Sequence, residues 1–351
     1  MENTFAVTIS TSFNGETDLI DRPSVTAGPV IHIEQLRHSY DGRAALNGVS
    51  FEVYPAEIFG LLGPNGSGKT TMFRILSTLM IPSSGQAVIM GHDAAIDPNG
   101  LRRHIGVVFQ AQSIDGKLSA EENLRHVGHL YGLRGSVLKQ RVNEMLHRVG
   151  LADRAKDRAE TFSGGMQRRL ELAKGLLHRP SVLLLDEPTT GLDPGARRDL
   201  WQYLQILRDQ ERVTILVTTH LMEEAEHCDR LAILSHGNLV ALGTPAELTH
   251  EIGADIILLD TAEPEALANR IRARFGLEST VLDRQVRIER ESGHRFVPEL
   301  VEAFPGEITA ISVSKPTLED VFIRRTGHRF WNEDEENKQA EAAKSKAKKK
   351  H

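Results

Sequence analysis

A glycine-rich stretch between residues 63 and 71 has the composition and spacing of a phosphate-binding site. Gly63 and Gly68, followed directly by Lys69 and Thr70, give the pattern G-x-x-x-x-G-K-T. Glycines let the backbone wrap closely and take positive φ angles, so successive N–H groups can point inward at an anion. The lysine can reach the β- and γ-phosphates of a nucleotide, and the threonine hydroxyl can bind Mg²⁺. The predicted P-loop comprises Gly63, Pro64, Asn65, Gly66, Ser67, Gly68, Lys69, Thr70 and Thr71.

The residues on either side of this loop predict the strand and the helix that position it. Residues 57–62, which are apolar after Glu57, read as a buried strand, and residues 71–80 carry apolar side chains at helical spacing. The apolar set of the helix is Met72, Ile75, Leu76 and Leu79. A loop at a helix N-terminus gains roughly half a positive charge from the helix dipole. The alternative is a glycine-rich turn that matches by chance, and the strand and helix on its two sides disfavour it.

A pair of carboxylates follows a second apolar run. Residues 182–185 read as a buried strand, and Asp186 and Glu187 come directly after it. Parallel sheets carry their sites at the carboxyl ends of the strands. Asp186 can hold Mg²⁺, directly or through water, whereas Glu187 points elsewhere and can act as general base for water. The alternative is a strand that ends in acids because it meets solvent, and a P-loop in the same sheet favours the catalytic interpretation.

A second glycine-rich helix start lies at residues 162–166, with the sequence Phe-Ser-Gly-Gly-Met. Ser163 is a good N-cap, and Gly164 and Gly165 leave room for an anion. The chain thus has two helix starts suited to anions but one P-loop lysine. From these residues alone, either the second site binds something else or both sites face one nucleotide.

Composition limits the classes of protein to consider. A chain of 351 residues suits two domains, or one large domain and a smaller one. Its single cysteine, Cys228, permits no intrachain disulfide and fits a reducing compartment. A net charge of −6 disfavours a nucleic-acid partner. Since no apolar run approaches the roughly 18 residues of a spanning helix, we expect no membrane crossing.

Both ends of the chain are expected to be disordered. Residues 1–29 are polar and lack the basic start and apolar stretch of a signal peptide. Residues 329–351 are acidic and then rich in lysine and alanine, so they offer little to bury. A basic tail could touch acidic lipid headgroups, although a solvated tail without a role is the simpler interpretation.

The periodicity of the remaining chain predicts an α/β fold. Residues 31–34 and 49–53 alternate between apolar and polar side chains, which favours antiparallel strands with one wet face. Residues 111–178 carry mainly helical spacing and read as a helical insert. Strands then alternate with helices, which implies a parallel sheet. The predicted core is therefore a P-loop α/β domain with an antiparallel β subdomain and a helical insert.

The motifs occur in the order P-loop, Gln110, Ser163-Gly-Gly165, Asp186-Glu187, Gly191-Leu-Asp193 and His220. This order resembles that of the ATP-binding subunit of an ABC transporter. The resemblance covers roughly residues 30–247. It implies ATP and Mg²⁺ as cofactors, and a second cassette that meets the first head to tail. Each ATP would then lie between the P-loop of one chain and the Ser163-Gly-Gly165 motif, with Met166, of the other.

The resemblance also implies roles for single residues. Tyr40 resembles the aromatic residue that stacks on adenine, and Gln110 the glutamine that contacts Mg²⁺ or water and senses the membrane partner. Asp193 resembles the aspartate that crosses the dimer, and His220 the histidine that touches the γ-phosphate. The family often has Gln where this chain has Met166, so the hydrogen bond of that glutamine cannot form here.

Residues 248–328 have a different pattern from the cassette. Short strands and helices in the order βαββαβ suggest a small ferredoxin-like α+β domain, with a hairpin around Asp283 and Arg284. Residues 315–322, followed by Gly327, resemble the closing helix of the drug-resistance branch, akin to daunorubicin exporters. That branch pairs with separate ABC-2 type permeases, which places the chain at the cytoplasmic face of the membrane.

The sequence thus favours an ATPase subunit that drives export through a separate permease. The alternative is a soluble ABC ATPase that acts on ribosomes or DNA. Such proteins usually carry two cassettes in one chain or long coiled insertions, whereas this chain has one cassette and a short insert.

Overall fold

The structure is a computed structural model that describes residues 28–282 and 284–330. Most of both terminal segments expected to be disordered, and Asp283 of the expected hairpin, lie outside the described residues. The chain divides into two compact units between Leu239 and Val240. A boundary between independent domains at residues 247 and 248 stays a prediction.

An antiparallel sheet opens the first unit. Its strands are β1 (Ile31–Tyr40), β2 (Arg43–Val53), β4 (Ser84–Ile89) and β5 (His92–Asp93), in the spatial order β2-β1-β4-β5. β1 pairs antiparallel with both β2 and β4. Ile31 and Ile33 are buried while Glu34 is exposed, so the predicted antiparallel strands with one wet face are confirmed.

A six-stranded sheet forms the centre of the unit and holds the candidate site at one edge. Its strands are β3 (Ile58–Leu62), β6 (Ile105–Val108), β7 (Val182–Asp186), β8 (Thr214–Thr219), β9 (Arg230–Ser235) and β10 (Asn238–Gly243), in the order β10-β9-β3-β8-β7-β6. The five strands from β9 to β6 are parallel. Because parallel strands share one carboxyl edge, the segments after β3, β6, β7 and β8 meet there.

The core lies on both faces of this sheet, as alternate residues of β7 show. Leu183 and Leu185 belong to a cluster with the helical insert, whereas Val182 and Leu184 belong to a cluster with the antiparallel sheet. β7 is buried throughout its length. Its continuous apolar run is what a strand covered on two faces requires.

The helices of the first unit include the predicted P-loop helix, which ends earlier than predicted. They are α1 (Lys69–Leu76), α2 (Pro98–His104), α3 (Ala120–Leu130), α4 (Gly135–Arg148), α5 (Gly164–Leu176), α6 (Pro194–Glu211) and α7 (Met222–Ala225). The prediction that α1 extends to residue 80 was wrong. The backbone turns out of the helix at Thr78, whose φ is 62°, and Leu79 is 63% exposed instead of facing the core.

The second unit has the predicted ferredoxin-like order. It contains α8 (Pro245–His250), β11 (Asp255–Thr261), α9 (Pro264–Phe275), β12 (Ser279–Leu282), β13 (Gln285–Arg290), α10 (Gly293–Ala303), β14 (Ile308–Ser314) and α11 (Leu318–Thr326). The sheet order is β12-β13-β11-β14, and all pairs are antiparallel. Leu267, Ile271, Phe296 and Leu300 pack under the sheet with the buried residues of β11 and β13.

Candidate active site

The P-loop between β3 and α1 closes around the side chain of Lys69. The Lys69 ammonium donates hydrogen bonds to the carbonyls of Gly63 at 2.7 Å and Pro64 at 3.0 Å. Only 4% of the lysine is exposed. Gly68 has a φ of 108°, and a Cβ at that position would lie 2.6 Å from the carbonyl oxygen of Ala45. Glycine is therefore required by both conformation and space, as the sequence predicted for a close-wrapped loop.

The outer face of this loop is open, and an aromatic side chain lies beside it. Asn65, Gly66 and Thr70 are exposed. Tyr40, at the end of β1, is 41% exposed, and its hydroxyl lies 3.4 Å from the hydroxyl of Thr71. An accessible aromatic ring thus stands next to the helix start that carries Lys69.

Three predicted site residues form one cluster at the carboxyl edge of the sheet. The Gln110 amide, after β6, donates to Oε2 of Glu187 at 3.1 Å. His220, after β8, places Nδ1 3.2 Å from Oε1 of the same carboxylate. The sequence predicted each residue separately, and the structure brings the three side chains together around Glu187.

Thr218 in β8 makes hydrogen bonds to both neighbouring acidic residues, Asp186 and Glu187. Its hydroxyl donates to Oδ1 of Asp186 at 2.6 Å and accepts from the Glu187 amide N–H at 3.0 Å. Glu187 has a φ of 41°, a left-handed conformation that turns the chain away from the strand direction. Sequence reasoning missed Thr218, although two threonines at the end of an apolar strand, directly before His220, are a usable signal.

The two carboxyl groups differ in their electrostatics. Burial raises the pKa of Asp186, and the hydrogen bond from Thr218 offsets only part of this effect. Burial also raises the pKa of Glu187, but the interactions with His220, Lys69 and Thr190 outweigh it, so the net pKa lies below the ordinary value. Glu187 is therefore ionised at neutral pH, the form that a general base needs.

The second glycine-rich helix start is the N-terminus of α5. The Ser163 hydroxyl caps this helix by accepting from the Met166 amide at 3.3 Å. A Cβ on Gly164 would meet open space, and one on Gly165 would lie 3.4 Å from the Ala196 side chain. The surface above Gly164 thus has room for an anion or for another chain.

Asp193 caps the next helix and shares a cleft with Ser163. Its carboxylate accepts from the Ala196 amide at 2.9 Å at the start of α6. A cleft of about 270 Å³ has both Ser163 and Asp193 in its lining, together with Met166. The two segments that the resemblance assigns to a dimer contact are therefore neighbours on one surface.

Arg168 is a further residue that the sequence did not single out. Its buried guanidinium donates to the carbonyls of Phe109 at 2.8 Å and Pro188 at 2.7 Å. It thereby connects helix α5 to the segments that carry Gln110 and Glu187. Its sequence context, a run of basic and apolar residues in a helix, gives no sign of this role.

Two features are absent from residues 28–282 and 284–330. No helix there is both long and apolar enough to cross a membrane. No group of three or more His, Cys, Asp or Glu side chains is arranged to hold a metal ion.

Comparison with known proteins identifies the family. Residues 46–190 match the family model described as ABC transporter. The chain is 37% identical over 300 residues to the daunorubicin/doxorubicin resistance ATP-binding protein DrrA of Streptomyces peucetius, which covers 82% of this chain and 90% of that protein. It is 35% identical over 307 residues to the linearmycin resistance ATP-binding protein LnrL of Bacillus subtilis (strain 168). That alignment covers 85% of this chain and 98% of LnrL. A Nod factor export ATP-binding protein of Rhizobium sp. (strain N33) is 36% identical over 303 residues, covering 85% and 97%.

Solved structures agree with this match. An ATP-binding subunit of an ABC transporter superposes with a TM-score of 0.58 at 29% identity, over 64% of this chain and 93% of that one. An ATP-binding cassette described as a dimeric post-hydrolysis state with ADP and Pi superposes with a TM-score of 0.56 at 28% identity. The superposition covers 61% of this chain and 98% of that one.

The chain belongs to the ABC transporter family, in which it is an ATP-binding and ATP-hydrolysing subunit. The predicted fold class and the resemblance to the drug-resistance branch are thereby confirmed.

Proposed function

We propose that Glu187 is the general base of ATP hydrolysis in this chain, with Gln110 and His220 holding its carboxylate and the attacking water. The observation that carries this assignment is the cluster in which both neighbours contact the two oxygens of Glu187, at 3.1 Å and 3.2 Å. A base must be ionised and must be oriented at the water it deprotonates. The lowered pKa of Glu187 and its two side-chain partners meet both needs.

The residues around the P-loop fit Mg²⁺-ATP. Asp186 offers a buried carboxylate with one oxygen fixed by Thr218. Thr70 offers an exposed hydroxyl at the start of α1, which follows β3, and only β8 separates β3 from β7 in the sheet. Together with the Gln110 amide these are hard oxygen donors, and Mg²⁺ is usually held by one or two carboxylates plus phosphate oxygens. When bound, the ion neutralises charge on the phosphates. Lys69 binds the β- and γ-phosphates, and Tyr40 stacks on the adenine.

The complete site needs a second cassette. Ser163, Gly164, Gly165 and Met166 of one chain cover the ATP held by the P-loop of the other, and Asp193 crosses between the chains. The open surface above Gly164 supports this arrangement, as does the common cleft of Ser163 and Asp193. ATP binding would close the dimer, and hydrolysis would release it.

We assign the chain to an exporter whose membrane part is a separate ABC-2 type permease, at the cytoplasmic face of the membrane. The names of the relatives support export, since they refer to resistance to daunorubicin, doxorubicin and linearmycin and to export of Nod factor. These are chemically different cargoes, so the cassette itself does not define the substrate.

The segment from Gln110 to Leu118 is our proposed docking site for the permease. The hydroxyl and amide of Ser113 both donate to the buried carboxylate of Glu171, at 2.9 Å and 2.6 Å, so the segment is anchored to α5. Ile114 packs partly against the helical core. A charge there would disturb folding, so exposed Lys117 is the better position at which to test docking.

Recovery of the tagged full chain from membranes in mild detergent tests the export assignment. A polytopic membrane protein recovered in stoichiometric amount supports it. Recovery of ribosomal proteins or DNA, without a membrane protein, would instead favour the alternative of a soluble ABC ATPase.

A further inference from the structure

The buried carboxylate of Glu224 in α7 connects the two segments that carry Glu187 and His220. Only 2% of Glu224 is exposed. The hydroxyl of Thr189, in the segment after Glu187, donates to Oε1 of Glu224. The hydroxyl of Thr219, directly before His220, donates to Oε2 at 2.6 Å. One side chain outside the catalytic cluster thus holds the neighbours of two residues inside it.

On the His220 side, the contact with Glu224 is part of a closed turn. The amide of Leu221 donates to the hydroxyl of Thr219 at 3.0 Å, and the amide of Glu224 donates to the carbonyl of Leu221 at 3.1 Å. His220 lies inside this turn. Its backbone position therefore depends on the bonds that Thr219 and Glu224 make.

On the Glu187 side, the contact with Glu224 lies at the start of the segment that leads to Asp193. The amide of Leu192 donates to the carbonyl of Thr189 at 3.0 Å. The hydroxyl of Thr190 donates to Oε2 of Glu187 at 3.3 Å. Arg197 in α6 adds a cation 3.9 Å from Oε1 of Glu224.

These bonds are expected to be strong because the acceptor is a carboxylate removed from solvent. Hydrogen bonds to an ionised acceptor are stronger than those between neutral groups. A buried hydroxyl that is left without its acceptor lowers stability by the desolvation penalty of that group. Thr189 and Thr219 are each 1% exposed. Removal of Glu224 would therefore leave two buried hydroxyls without this acceptor and release both segments from their shared anchor.

We propose that Glu224 is a positioning residue that holds Glu187 and His220 at the separation required for ATP hydrolysis. It acts through the two threonines and does not touch the reacting atoms. The proposal rests on the roles of Glu187 and His220 given above. It predicts that Glu224 affects turnover much more than nucleotide binding, since none of its described contacts involves the P-loop.

Steady-state kinetics of the full chain with Mg²⁺-ATP test this role. Glu224→Ala should lower kcat by about tenfold or more and leave KM within about threefold. Glu224→Gln should restore kcat to within about threefold of the parent, because its amide can accept from one threonine hydroxyl and donate to the other. Normal kcat in Glu224→Ala, or no rescue by Glu224→Gln, would overturn the proposal.

Glu57→Ala is the matched control for loss of a buried carboxylate. Glu57 accepts from the Tyr54 amide at 2.7 Å and from Arg230 at 3.2 Å, and it precedes β3 at the end of the sheet away from the P-loop. Both alanine variants should lower Tm, but only Glu224→Ala should lower kcat per folded chain. An equal fall of kcat in the control would mean that Glu224 is merely structural.

A double-mutant cycle tests whether Glu224 acts through His220 or independently of it. Because Glu224 also holds the Glu187 segment through Thr189, Glu224→Ala should still lower kcat in a His220→Ala background, but by a smaller factor than in the parent. An equal fall of kcat in both backgrounds would mean that Glu224 does not act through His220, and it would overturn the proposal. Should Glu224→Ala fail to fold, Thr189→Val and Thr219→Val remove one bond each at similar volume, and kcat must fall in both.

The outcome for Glu187→Gln distinguishes this inference from the proposed function. If Glu187→Gln retains the parent rate, the assignment of the base fails and the positioning role fails with it. If Glu187→Gln is inactive while Glu224→Ala turns over normally, only the positioning role is wrong.

Discussion

Nδ1 of His220 lies 3.2 Å from Oε1 of Glu187, although the two residues come from different strands of the parallel sheet. The contact forms at the shared carboxyl edge of β7 and β8. Gln110, after β6, reaches the other oxygen of the same carboxylate. The two strands that flank β7 thus contribute one side chain each to the carboxylate of Glu187, and this arrangement underlies the predictions that follow.

Thr218→Val should impair hydrolysis without weakening ATP binding. The change keeps the shape of the side chain but removes the hydroxyl that bonds both Asp186 and the Glu187 amide. We expect kcat to fall by about tenfold or more. The matched control is Thr214→Val at the other end of β8, where the hydroxyl accepts from the Ala56 amide at 2.9 Å. Equal kcat values in the two variants would contradict the role given to Thr218.

Lys69→Ala and Gly164→Asp should each abolish hydrolysis, whereas a mixture of the two should recover part of it. The first removes a phosphate contact, and the second puts a carboxylate where a phosphate belongs. In a mixed dimer, one site would combine an intact P-loop with an intact Ser163-Gly-Gly165 motif. Random pairing predicts about a quarter of the parent rate, since half of the dimers are mixed and each holds one intact site of two. A mixture as inactive as its components would contradict a site shared between chains.

The stability of the chain should depend on pH through His178. The ring stacks on Tyr131 at 3.7 Å, its Nε2 donates to the carbonyl of Ile105 at 2.9 Å, and burial lowers its pKa to about 4. The unfolded chain binds this proton near pH 6.5, so between pH 6.5 and 4 the unfolded state binds more protons. The free energy of unfolding therefore falls as pH decreases through this window, by up to about 3 kcal/mol.

Urea unfolding of His178→Gln at pH 7 and pH 5 measures this contribution. The variant should lose less stability between the two pH values than the parent does. His126→Gln, at an exposed position on α3, should keep the parental dependence. An unchanged pH dependence in His178→Gln would show that other groups cause it.

Lys117→Glu should disrupt binding to the permease and leave the ATPase activity of the isolated chain unchanged. Lys117 is exposed in the proposed docking segment, and Lys139 is an exposed lysine on α4 that serves as control. Co-purification from membranes measures the difference between Lys117→Glu and Lys139→Glu. Equal recovery of the membrane protein with both variants would show that the docking site lies in another segment. The C-terminal unit would then be the next candidate.

The sequence predicted which residues would meet at this edge of the sheet because they directly follow strand ends. A P-loop after β3, Gln110 after β6, Glu187 after β7 and His220 after β8 must converge once the strands are parallel. The βαββαβ order of the second unit was predictable for a similar reason, since each short element has its own periodicity. Local pattern was sufficient wherever a residue of the candidate site lies at the end of a strand or at the start of a helix.

The sequence did not predict contacts that depend on distant neighbours. Thr218 bonds Asp186 across 32 residues of chain, and Thr189 bonds Glu224 across 35, so no local pattern marks either pair. The end of α1 was missed because Leu79 continues the apolar spacing, while the positive φ of Thr78 ends the helix before it.

Hydrolysis of Mg²⁺-ATP by Glu187→Gln under single-turnover conditions tests the central claim most directly. The amide keeps the size of the side chain and can still meet Gln110 and His220, but it cannot take a proton from water. We expect the rate to fall by about 10²–10⁴-fold, with ATP still bound and a dimer accumulating on size-exclusion chromatography. A rate within a few-fold of the parent would contradict the assignment of Glu187 as the base.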